Sequence, residues 1–223
     1  MYINLIQYAE NLYEELKKNG ITFNAYGYPV FPKEFLLNET PDEILPFHHR
    51  NAAKDKSKTV ISFYEEDEEL YHRLKKLDFV ANECSKYMGI AGFDLSPCIY
   101  WNIQQQKFNL LLSQLITLYI ATKGSKIIPN FRIGTLETLP VLLSYPANSK
   151  FCVGSLGCSR KISDFNLYQF KSKILCSRPQ ELLYYGKVLP QYKDFLNTIG
   201  IPYKAYMDFR TRSYSKSGGK ENE

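Results

Sequence analysis

Short, unbroken apolar runs recur along most of this chain, and helical spacing fills the gaps between them. TVISFY (59–64), IAGFDL (90–95), KIIPNFRI (126–133), KFCVGS (150–155), ELLYYG (181–186) and IPYKAY (201–206) read as strands. EDEELYHRLKKLD reads as the helix after the first run. A long helix with Ser96 as N-cap and Pro97 at its first position follows the second and runs to Gly124. Shorter helical stretches near 136–143, 165–176 and 191–198 separate the rest. Strands alternating with helices build right-handed βαβ units on a parallel sheet. Apolar runs without strict alternation belong to strands covered on both faces. Neither a GxGxxG fingerprint nor a phosphate-loop motif occurs, which tilts the expectation away from a nucleotide-binding doubly wound sheet. The expected fold is therefore α/β, with a parallel sheet of about six βα units over residues 44–207. The alternatives are a barrel-like form, TIM-type and complete or incomplete, and an open doubly wound sheet.

Upstream, Leu5, Tyr8, Leu12 and Leu16 recur at helical spacing, Lys17 and Lys18 fall in the last turn, and Gly20 follows. Pro29, Pro32, Pro41 and Pro46 then mark an irregular arm, so residues 1–43 read as helix plus arm. Residues 208–223 are a polar tail, expected to be disordered. The charge is mildly basic (+5), with Lys and Arg scattered, so nucleic acid is not an indicated partner. Cys84, Cys98, Cys152, Cys158 and Cys176 have no C-x-x-C spacing, and no secretory leader is evident. The expectation is a reduced, cytoplasmic chain without a metal site. The apolar stretch FNLLLSQLITLYIATKG is broken by Asn109, Ser113, Gln114 and Thr117 and reads as a buried or amphipathic helix, not a membrane span. The 18 tyrosines suggest half-buried surfaces with hydroxyls in need of partners.

In parallel α/β folds, ligands collect at the carboxyl ends of the strands. There the sequence places Glu65, Glu66 and Asp67, then Asp94 and Ser96, Asn130 and Arg132, Ser155, Gly157 and Cys158, and Tyr185 and Gly186. Asp94 is either a carboxylate serving free helix amides or a site residue. Arg132 either holds Asp94 or Glu66 in a structural ion pair or binds an anion. GSLGCS (154–159) either cradles phosphate or simply connects strand to helix. Cys158 is a candidate nucleophile, although no histidine follows it in the chain. EEDEE (65–69) either binds a divalent cation or favours a helix N-terminus. His48 and His49 read as a turn or solvated loop. Trp101, beside Asn102, is either a core anchor or a flat surface for a ligand near the mouth. Catalytic candidates are Asp94, Asp67 and Cys158. Ligand-binding candidates are Asn130, Arg132, Ser96, Trp101, Asn102, Ser155, Gly157 and Tyr185.

The order ILPFHHRNAAKDKSKTVISFYEEDEEL, FDLSPCIYWNIQQQ, KIIPNFRIG, FCVGSLGC and LLYYG resembles the domain-of-unknown-function 4417 family of bacteria, mainly Gram-positive ones, and their phages and mobile elements. The resemblance runs over about residues 44–206. It maps the family's lysine loop to Lys54, its acid-ending strand to Asp67, and its D-[FL]-S strand end to Asp94 and Ser96. The aromatic–Asn pair falls on Trp101 and Asn102, the I-P strand end on Pro129 with Arg132 beyond, the S-x-G-C turn on Ser155, Gly157 and Cys158, and the last Y-G on Tyr185 and Gly186. Relatives carry a Trp soon after the I-P strand end and an Arg-rich start to the long helix. Here Arg132-Ile133 and QQQK stand instead, which implies a changed ligand if those groups touch one. The setting implies a phage or mobile-element accessory protein that binds a host protein, a defence or replication component, through a Tyr-rich face. The strand-end residues imply instead an enzyme or small-ligand binder for an anionic, phosphate-bearing ligand. The sequence identifies no cofactor and leaves oligomeric state open.

Overall fold

The computed structural model describes residues 3–154, 164–209 and 211. Among these residues seven parallel strands, not six, alternate with helices. They are β1 (Glu43–Pro46), β2 (Thr59–Ser62), β3 (Gly89–Ala91), β4 (Ile127–Ile128), β5 (Lys150–Gly154), β6 (Glu181–Tyr185) and β7 (Tyr203–Tyr206). The helices are α1 (Leu5–Lys18), α2 (Asp67–Leu74), α3 (Leu77–Cys84), α4 (Ile103–Thr122), α5 (Asp164–Ser177) and α6 (Pro190–Ile199). β1 hides in the proline-rich arm. Pro46 ends an edge strand, where a missing N–H breaks no ladder.

The strands form a four-stranded sheet, β1 to β4 in chain order, and a three-stranded sheet, β5 to β7 in chain order. Past β4 the two touch: the Phe131 N–H donates to Cys152 O (2.8 Å) and the Cys152 N–H to Pro129 O (2.7 Å). Strand order never reverses, unlike a doubly wound sheet. Nor is a closed barrel formed, since no ladder joins β7 to β1 among the described residues. The array is nonetheless curled. Seven strands laid flat would hold the outer two roughly 29 Å apart, yet the Tyr206 hydroxyl donates to Pro41 O at 2.8 Å, two residues before β1.

The curl sorts side chains by strand alternation. Ile44, Val60, Tyr64, Ala91, Ile128, Cys152, Leu183, Tyr185 and Tyr206 share an inner cluster fed by all seven strands. Leu45, Ile61, Phe63 and Ile90 point outward into a core shared with α1–α4, and Phe151, Leu182 and Tyr184 into one shared with α5 and α6. α1, capped by the Asn4 side chain at the Ile6 and Gln7 amides, buries Leu12 and Leu16 in the first of these cores.

Two helical expectations change. The helix after TVISFY is two helices, broken at Lys76, whose backbone is non-helical (φ −136°). The long helix starts at Ile103, with Asn102 as its N-cap accepting from the Gln105 N–H (2.9 Å). Ser96 is no cap: residues 97–102 are not helical, and its N–H and hydroxyl both donate to Asp67 Oδ1 (3.1 Å each). The stretch near 136–143 is a 3-10 helix (Leu136–Ser144) with Pro140 inside it.

Candidate functional site

α4 positions the site. Thirteen of its 20 residues are buried, so its polar side chains work inside the molecule. Beyond Ala91 the chain leaves the ladder, and its amides need new partners. Thr117 Oγ1 accepts from the Phe93 N–H (2.8 Å) and Ser113 Oγ from the Leu95 N–H (3.1 Å). Asn109 Nδ2 donates to Ser96 O (2.9 Å). The segment carrying Asp94 is thus pinned at both ends by one helix.

Opposite stands Asn130. Its Nδ2 donates to Gly92 O (2.6 Å) and Phe93 O (3.2 Å), while its Oδ1 accepts from the Tyr64 hydroxyl (2.9 Å). Tyr64 stacks on Tyr185 at 5.7 Å between ring centroids, so both belong to the inner cluster. Gly154 lies so close to Tyr64 that an added Cβ would stand 2.6 Å from the ring. The Asn130 side chain therefore tethers β2, β3 and β4 at their carboxyl ends.

Asp94 is buried, and its nearest polar partners are distant. Arg132 Nε stands 3.7 Å from Oδ1 and Asn130 Nδ2 3.4 Å from it. Burial pushes the carboxyl above its usual range; Arg132 opposes this, Asp67 adds to it, and Lys173 of α5 also opposes it. Lys173 sits with its Nζ 4.2 Å from the centroid of the Phe131 ring. A cavity of about 20 Å³, enough for one water molecule, lies between Asp94, Asn130, Arg132 and the α4 residues Ser113, Gln114 and Thr117.

One strand over, a second acid–arginine pair has different geometry. Glu65 accepts from Arg73 through both Nε (2.9 Å) and a terminal guanidinium nitrogen, and its carboxylate is almost fully buried. That is the close, two-donor contact of a structural ion pair. Asp94 and Arg132 do not make one.

The chain matches the family model for domain of unknown function 4417 over residues 24–204. It belongs to the DUF4417 family. The family match takes in β1 to β6 and the first half of β7 and reaches into the arm; of the α-helices only α1 precedes it. No curated protein and no solved structure matches the chain.

Within this DUF4417 domain the candidates from sequence separate. Asp94, Asn130 and Arg132 meet around the cavity. Asp67 and Ser96 bind each other beside it. Asn102 is engaged as the α4 cap, and Trp101 is 41% exposed, so it is not a core anchor. Tyr185 is fully buried, and its hydroxyl accepts from the Phe209 N–H (2.9 Å). Ser155, Gly157 and Cys158 lie outside the described residues, as does most of the tail. The acidic run opens α2 with Asp67, Glu68 and Glu69 in its first turn. Among the described residues no His, Cys, Asp and Glu side chains group as metal ligands, and no helix is long and apolar enough to cross a membrane.

Sequence reading missed Tyr64, Lys173 and the α4 polar side chains. The signal for the last was present: Asn109, Ser113, Gln114 and Thr117 interrupt an apolar helix, and buried polar groups need partners. Lys173 carries no local signal, because only tertiary packing brings α5 to the Phe131 ring.

Proposed function

We propose that this domain binds, and acts on, a small ligand carrying an anionic group such as phosphate, at the carboxyl ends of β3 and β4. The loose Asp94–Arg132 pair carries the reading. Asp94 and Arg132 face each other at 3.7 Å beside the cavity without the two-donor contact that Glu65 and Arg73 make, and this supports a role beyond a structural ion pair. Arg132, about a third exposed, brings positive charge to the edge of the cavity, and Lys173 adds to the positive field at Asp94. Asp94, its proton held to higher pH by burial, serves as general acid or base.

Titration of the full chain with inorganic phosphate and with phenyl phosphate tests this. Native protein is expected to bind both, and Arg132→Gln to weaken binding about tenfold or more, the loss of one charge-assisted hydrogen bond. No binding by the native chain, or undiminished binding by the variant, would sink the reading.

A second reading, an accessory protein of a phage or mobile element that binds a host protein, draws support from one loop. Ile99, Tyr100 and Trp101 stand consecutively exposed between β3 and α4, Tyr100 at 90%. A broader tyrosine face has less support: among the described residues only Tyr26, Tyr100 and Tyr168 are exposed, and the other tyrosines are buried or half-buried. If this reading holds, Tyr100→Ser with Trp101→Ser abolishes stoichiometric capture of a bacterial protein and leaves phosphate binding unchanged.

A further inference from the structure

We infer that His48 is a general base on the strand-end rim, acting on a hydroxyl group or a water molecule, and that Glu65 is its positioning residue. The register pairs Pro46 with Ser62, so the chain leaves β1 and β2 side by side, and His48 and Glu65 emerge as neighbours. Glu65 Oε1 accepts from the His48 backbone N–H (3.2 Å) and lies 2.8 Å from His48 Nδ1. Its Oε2 accepts from Arg73. Exposure is 50% for the imidazole, 3% for the carboxylate and 14% for Arg73, so the acid between the two is the most buried of the three. Beneath it the Phe47 ring, itself buried, has the Arg73 guanidinium carbon 4.7 Å from its centroid. The carboxylate is fixed from below, and the imidazole is its outlet to solvent.

The arrangement dictates the tautomer. An ionised carboxylate only accepts, so the hydrogen sits on Nδ1 and the Nε2 lone pair is left as acceptor. The carboxylate does not need the imidazole for its own sake, since Arg73 and the His48 amide already serve both oxygens. What the Nδ1 contact adds is a fixed ring. His49, 4.0 Å away between centroids, flanks His48 and is itself stacked on Phe209 at 3.5 Å. Among the described residues the charged and titratable groups around this pair include Glu65, Arg73, His49 and Arg50, whose guanidinium carbon lies 4.5 Å from the Phe47 centroid.

In the step this supports, Nε2 takes the proton of a ligand hydroxyl or a water. The O–H bond breaks with its electron pair left on oxygen, and an N–H bond forms on the ring. That oxygen attacks an electrophilic centre of the ligand. The imidazolium, balanced by the still-ionised Glu65, returns its proton to the departing group or to solvent. The inference rests on the reading of the rim as a ligand site. Its test uses neither Arg132 nor phosphate, so the two fail separately.

Long-range proton–nitrogen spectra of the full chain, with His48→Gln for assignment, read the tautomer directly. The expected native result is Nδ1–H with Nε2 unprotonated, and Nε2–H would overturn the inference. In Glu65→Gln the amide offers one acceptor oxygen where the carboxylate offered two, while Arg73 and the His48 N–H can each only donate. The hold on Nδ1–H is thereby weakened and the tautomer ratio shifts toward Nε2–H. Carbethoxylation by diethyl pyrocarbonate, followed by mass spectrometry with the exposed His72 as internal reference, supplies the second readout. His48 is expected to react faster than His72 in the native chain, and Glu65→Gln to slow it about tenfold or more, the factor a charge-assisted hydrogen bond gives a tautomer ratio. Equal reactivity of the two histidines in the native chain, or an unchanged rate in Glu65→Gln, would refute it. The native-chain measurements decide the matter even if Glu65→Gln fails to fold.

Discussion

Tyr64 and Asp94 sit within reach of one amide, Asn130, and have opposite effects on stability. The Tyr64 hydroxyl satisfies a buried acceptor. Tyr64→Phe leaves that oxygen unpaired and is expected to cost about 1–3 kcal/mol, read from urea midpoints at constant slope. Asp94 works the other way. Its folded pKa lies above the ordinary 3.8, so the folded chain keeps this proton at pH values where the unfolded chain has lost it. Stability therefore falls as pH rises through the window above 3.8, and the full cost is present once pH exceeds the folded value. Asp94→Asn is expected to be more stable than native protein at pH 7, with the difference gone below 3.8. Equal midpoints at pH 7 would mean the carboxylate is better compensated than its 3.7 Å contact suggests. The cysteines described here are free thiols, and burial pushes Cys152 up to about 12, which removes it as a nucleophile near neutral pH.

Among elements, α4 decides most. Ser96-Pro97 is a strong local start signal, yet the chain stays non-helical as far as Asn102, and Asp67, 29 residues away, accepts from both Ser96 donors. No local rule sees that competitor. Asn102→Ala is expected to destabilise by about 1 kcal/mol through loss of the cap, measured by thermal unfolding. Ser96→Ala keeps its N–H contact to Asp67 and should cost less. The reverse order would restore Ser96 as the element's start. β1 escaped notice for a related reason. Four residues ending in proline give no periodicity to read, and the strand exists because β2 lies parallel to it. By contrast α1, β2, β5, β6 and α6 were legible to within a few residues, since each carries its own apolar pattern and end signals.

At the scale of the whole molecule, the curl brings the first and last strands together. Tyr206 and Lys204 both donate to Pro41 O, at 2.8 and 2.9 Å. Tyr206→Phe is expected to cost about 1 kcal/mol and to speed amide exchange in β1 and β7 before β3 or β4; uniform acceleration would argue against a local seam. The sequence alone determined a parallel α/β chain, because apolar runs and helical spacing are written within ten or so residues. It also named Asp94, Asn130 and Arg132, because strand ends are where such folds gather polar groups. Tertiary structure alone decided the seventh strand, the open curl, the approach of Lys173, and which acid–arginine pair is tight. Those depend on contacts between segments far apart in sequence, and on burial, which sets both the energy of a charge and the partners it can reach.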